Sequence, residues 1–82
     1  MTSDTDARLA KYSDREVLQR ASMLIASGER NCRAGIHREA AAAFEMAASE
    51  FRSIGMFETA ARYVGRAEGE RVWADVRGEV TQ

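Results

Sequence analysis

From Ser13 onward the apolar residues recur three and four positions apart, the spacing that lines one face of a helix. Val17, Leu18, Ala21, Leu24 and Ile25 make the first stripe, and Gly28 continues it. Just ahead lies Ser13-Asp14-Arg15-Glu16, a capping box in which the serine oxygen accepts from the Glu16 amide and the Glu16 carboxylate reaches back. The pattern runs on to Cys32 and Ala34, and Gly35 supplies a C-terminal stop. A second helix is expected from His37 to Arg52, burying Ala40, Ala43, Phe44, Ala47, Ala48 and Phe51 and exposing Arg38, Glu45, Glu50 and Arg52. Gly55 is the next stop, and a third helix begins near Phe57, with Phe57, Ala60, Ala61, Val64 and Ala67 in line. Val72, Trp73 and Val76 extend that helix or cap the end of the bundle. Glu58 with Arg62, and Arg66 with Glu70, are spaced four apart as surface ion pairs.

Residues 1–12 are polar and lack a period, so they read as a flexible N-terminal tail. A single helical domain spans 13–77, and residues 78–82 form a loose C-terminal tail. Both links between helices are only a few residues long, which forces consecutive helices antiparallel. The expected fold is all-α, a three-helix antiparallel bundle.

Composition adds to this picture. Proline is absent and alanine abundant, which favours helix. An 82-residue chain buries only about 60% of the surface its unfolded form exposes, so its stability is marginal unless supplemented. One cysteine, Cys32, excludes an internal disulfide, and one histidine, His37, argues against a metal centre. Self-association or partner binding is the remaining supplement. A net charge of −1 provides no field toward nucleic acid or membrane. No apolar run reaches the roughly 20 residues a membrane span needs. Acids occupy the first residues where a secretory signal carries bases, so the cytoplasm is expected, with Cys32 reduced.

The first two helices together resemble one tetratricopeptide repeat. Leu24-Ile25-Ala26-Ser27-Gly28 takes the first part of that pattern, with Leu24 in the aromatic place and Gly28 in the glycine place. Ala40 and Phe44 take the alanine and phenylalanine of the second part, Ala47 follows, and Gly35 lies in the turn. The chain departs at Ser27, Asn31 and Arg52, where leucine, tyrosine and proline are usual. The resemblance covers about residues 21–54. It implies protein binding without catalysis, on a concave face that here carries Ser22, Ile25, Ala26, Glu29, Cys32 and Arg33. Ile25 and Glu29 do not match the subgroup that clamps a C-terminal carboxylate. Dimerisation through the third helix would bury its open side.

Four other constellations bear on function. Glu58 to Arg66 resembles the first helix and turn of a helix-turn-helix DNA reader, with Ala61 four residues before Gly65; a DNA-binding regulator is therefore the alternative reading. The following Ala67-Glu68-Gly69-Glu70 is acidic, which disfavours nucleic acid. Arg30, Arg33, His37 and Arg38 gather near the first turn, a cluster able to hold an acidic segment, although Glu29 and Glu39 flank it. Cys32 and His37 lack the further ligands and spacing of a metal site, so neither metal nor cofactor is expected. Trp73 is either a lid on the bundle or an interface anchor, with Met56 and Phe57 extending the same patch. The expected partner is another protein or a second copy of the chain, met by Ile25, Glu29, Arg30, Arg33, Arg38, Phe57 and Trp73. No enzymatic activity is expected.

Overall fold

The computed structural model describes the backbone of residues 4–78 and the side chains of residues 14–78. Three helices follow one another: α1 (Asp4–Arg33), α2 (His37–Ser53) and α3 (Phe57–Val76). Both turns are closed in the same way. The Gly35 amide donates to the Cys32 carbonyl at 3.0 Å and the Ile36 amide to the Asn31 carbonyl at 2.8 Å, while Gly55 and Met56 repeat the pattern on Arg52 and Phe51. Gly35 and Gly55 have φ of 79° and 80°, a left-handed conformation in which a Cβ is strained.

The ion pairs and ring contacts give the topology. Arg20 meets Glu50 while Gly28 meets Phe44, so α1 and α2 run in opposite directions. Phe51 meets Tyr63 while Glu45 meets Arg71, so α2 and α3 are antiparallel too. Glu29 meets Arg66 and Cys32 meets Glu70, an almost constant offset that makes α1 and α3 parallel. The fold is an all-α three-helix antiparallel bundle in which α2 is central, with α1 and α3 side by side against it.

Two apolar clusters form the core. Ala21, Ala47, Ala48, Phe51 and Ala60 make one, and Ala40, Ala41, Phe44 and Ala67 the other. Ile25 and Tyr63 pack against both. Nine of the twelve buried apolar residues among those described are alanine, so the helices approach closely and little bulk lies between them. Among the described residues Phe44 is the largest fully buried side chain, and its ring lies so near Gly28 that a Cβ there would sit 2.7 Å from it.

Three expectations change. First, α1 starts at Asp4 and not at Ser13, so residues 4–12 of the expected tail have helical backbone and the capping box lies inside a helix. The segment contains no glycine or proline, and alanine, leucine and lysine are good helix formers. Residues 1–3 and 79–82, the rest of the two expected tails, lie outside the described residues. Second, the buried side of α3 carries Ala60, Ala67, Glu70 and Ala74, whereas Phe57 and Ala61 are exposed. At 3.6 residues per turn, Phe57 falls on the flank of that stripe and Ala61 lies beyond it, toward the opposite face. Third, Phe57 and Trp73 are both exposed but belong to opposite ends of α3, about 24 Å apart at 1.5 Å per residue, so they do not form one patch.

Candidate functional site

The polar centre of the molecule lies where the end of α1, the start of α2 and the second half of α3 meet. Cys32 comes from the last turn of α1, and His37 opens α2 directly after the Gly35 turn. Glu70 projects from α3 at the register of Ala67 and Ala74, one helical turn from each, and is therefore carried inward. His37 and Glu70 are the buried polar residues of the described chain. His37 Nδ1 lies 2.8 Å from Glu70 Oε1, and the Cys32 thiol donates to Glu70 Oε2 at 3.4 Å. On the far side of the imidazole, Arg77 Nη1 lies 3.5 Å from His37 Nε2.

A guanidinium can only donate, so its approach to Nε2 places the ring proton on Nδ1, from where it donates to Glu70. The carboxylate thus receives both the imidazole N–H and the thiol S–H. Burial, and then the Glu70 carboxylate, push the Cys32 thiol above its ordinary value of 9.0. The thiol stays protonated at neutral pH, and Glu70 occupies the position an activating base would need. Nucleophilic chemistry by Cys32 is not set up. The donor atoms of Cys32, His37 and Glu70 nevertheless converge within 4.8 Å of one another.

A second feature adjoins this one. Trp73 stacks on His37 with ring centroids 6.1 Å apart at 27°, yet is 56% exposed. Val72 and Val76, on the outer side of the same helix end, are 61% and 71% exposed. Trp73 roofs the imidazole with one face and offers the rest of its surface to solvent beside two bare valines.

The other expected binding residues are dispersed. Ile25 is half-buried between the two core clusters. Glu29 is held by Arg66 at 2.8 Å, and Arg66 in turn lies 4.2 Å above the Phe44 ring. The bond to Glu29 raises the Arg66 guanidinium's proton affinity further. Arg30 and Arg33 are exposed in the last turn of α1, where cations complement the helix dipole. Arg38 turns toward Asp75 on α3, with 3.7 Å between them, and Phe57 is exposed beside Met56 at the start of α3, away from the other expected binding residues. The expected arginine cluster at the first turn is therefore divided, since His37 goes inward and Arg38 goes to α3. The helix-turn-helix resemblance is not carried into the structure either, because α3 is continuous through Gly65 and Gly69 with no turn.

Sequence reading missed Glu70, Arg66 and Arg77. Glu70 was matched to Arg66 by four-residue spacing, but Arg66 bonds Glu29 and Glu70 faces the interior. The signal for Glu70 was its register three after Ala67 and four before Ala74. Among the described residues no helix is long and apolar enough to cross a membrane. Comparison with known family models, with curated proteins and with solved structures finds no match.

Proposed function

We propose that the protein is a small protein-binding helical module of adaptor or regulatory type, without catalysis of its own, which works in the cytoplasm as a homodimer. The observation that carries this reading is the exposed apolar end of α3, where Val72, Trp73 and Val76 stand together in solvent. Contiguous exposed apolar surface marks contact sites, and tryptophan is enriched among residues that dominate binding energy. A core built mainly of alanine also leaves the single chain with modest apolar burial, which association would increase.

The tetratricopeptide-like reading supports the same assignment. The fully buried Ala40 and Phe44, the close fit of Gly28 against the Phe44 ring, and the parallel course of α3 and α1 are what support this reading. In such an array the outer side of α3 faces another helix, and here a partner's surface takes that place.

Analytical ultracentrifugation of the wild type and Trp73→Ala, alongside circular dichroism, tests the reading. The wild type should sediment as a dimer. Trp73→Ala should remain helical and dissociate about 30-fold more readily, the equivalent of about 2 kcal/mol for a dominant interface residue. A wild type that is monomeric at every concentration would refute it, and a Trp73→Ala chain that melts outright would make the residue core.

A further inference from the structure

We propose that Cys32, His37 and Glu70 form a binding site for one divalent transition-metal ion of the zinc class, joining the three helices at the end of the bundle where Trp73 lies. The geometry carries the inference. One thiol, one imidazole and one carboxylate arrive from three different helices, with their donor atoms within 4.8 Å of one another. In a tetrahedral zinc site, donors at about 2.0–2.3 Å from the metal are about 3.3–3.8 Å from each other. Cys32 Sγ lies 3.4 Å from Glu70 Oε2 and His37 Nδ1 lies 2.8 Å from Glu70 Oε1, so the three side chains already meet at the carboxylate, and Glu70 must turn to present one oxygen as the His37 contact opens by about 0.5 Å or more.

The donor chemistry selects the ion. Thiolate and imidazole are poor ligands for calcium or magnesium, which take oxygen, whereas a sulfur, nitrogen and oxygen set suits zinc or cobalt. Three protein ligands leave the fourth position to water. The two hydrogens that now point at the Glu70 carboxylate occupy the place the cation would take. Binding breaks the Cys32 S–H bond, its electron pair forms the sulfur–metal bond, and the proton leaves to solvent. The imidazole keeps one proton, which moves through solvent from Nδ1 to Nε2 so that the Nδ1 lone pair can bind the metal. No group is oxidised or reduced. Glu70 and the Cys32 thiolate together balance the two positive charges.

Arg77 opposes this state. In the present arrangement its guanidinium faces Nε2, and a proton arriving there would set two donors against each other. Arg77 is exposed and follows the last residue of α3, so it can swing away. It is a positioning residue that favours the metal-free tautomer, and its removal should tighten metal binding. A purely structural network makes the opposite forecast: loss of Arg77 would weaken the fold and leave metal without effect.

The test is titration of the tag-free full chain with Co²⁺ alone, then displacement by Zn²⁺. Wild-type protein should develop a thiolate-to-cobalt charge-transfer band and strong tetrahedral visible absorption, saturating at one ion per chain. Zn²⁺ should abolish both and raise the melting temperature. Cys32→Ser, which keeps a small hydrogen-bond donor, should stay folded, lose the charge-transfer band and bind at least tenfold more weakly. Glu70→Gln should also bind at least tenfold more weakly, whereas Arg77→Ala should bind more tightly than wild type. If Glu70→Gln fails to fold, Cys32→Ser decides the matter. Absence of any cobalt spectrum, or a Cys32→Ser chain that binds cobalt as well as wild type, would overturn the proposal.

Discussion

Phe44 and Gly28 give the sharpest stability forecast, because their contact is steric and each residue can be altered alone. Phe44 is fully buried and has Gly28 close against its ring, Tyr63 stacked at 6.0 Å and Arg66 above. Truncating a buried phenylalanine to alanine costs about 3–5 kcal/mol. At about 0.05–0.15 kcal/mol per residue, the whole 82-residue chain holds about 4–12 kcal/mol. The alanines that make up most of the core have no side chain that can swing into the space, so the upper half of the range is expected. Phe44→Ala should therefore remove between about a third and all of that stability, read as a large fall in the urea midpoint. Gly28→Ala is the informative partner. Helix propensity alone favours alanine over glycine by about 1 kcal/mol. Its Cβ would lie 2.7–3.0 Å from three ring atoms, however, and overpacking of that kind costs about 1–3 kcal/mol. In Phe44→Leu, which keeps apolar bulk but removes the ring, the same change should become neutral or stabilising. Urea unfolding followed by circular dichroism measures all four members of the cycle, with an expected coupling of about 2 kcal/mol. A Gly28→Ala that stabilises the wild type, or the same effect in both backgrounds, would refute the packing argument.

Other forecasts follow from the same structure. Gly65 and Gly69 have no atoms near a built Cβ, so alanine at each should raise stability by about 1 kcal/mol in thermal unfolding at low protein concentration. A thiol-reactive dye at neutral pH should label Cys32 more slowly than the same thiol in urea, because burial and Glu70 hold it protonated; equal rates would contradict this. That folded-state proton affinity lies above the unfolded value, so the stability it contributes is complete below pH 9.0 and is lost as pH climbs toward the raised value. Cys32→Ser should flatten this alkaline decline in a series of urea midpoints.

The parts of the fold that were legible are those where local pattern and tertiary burial agree. All six residues of the α2 stripe are buried, because small residues and phenylalanines at helical spacing leave a central helix no other way to pack. Gly35 and Gly55 ended their helices because only a residue tolerant of positive φ closes those turns without strain. The start of α1 was misplaced because a capping box marks a place where a helix can begin, and it does not stop one that has already formed upstream. Phe57 misled for a different reason: its spacing fits the stripe of α3, but its direction falls on the flank. The polar centre was the least legible. Cys32 and His37 drew notice, yet Glu70 looks from spacing alone like half of a surface pair with Arg66. Only the offset between α1 and α3, a tertiary property, sends Arg66 to Glu29 and brings Glu70 between the thiol and the imidazole.

Trp73 is the sole tryptophan, so its indole N–H gives one nuclear magnetic resonance signal that reports directly on the proposed interface. A dilution series of amide and indole spectra is the most direct measurement. If α3 associates through its exposed end, the indole signal and the amides of Val72 and Val76 should move together on dilution while those around Phe44 stay fixed. Signals at Trp73 that hold still over the whole range, or movement confined to α1, would contradict the assignment of this surface.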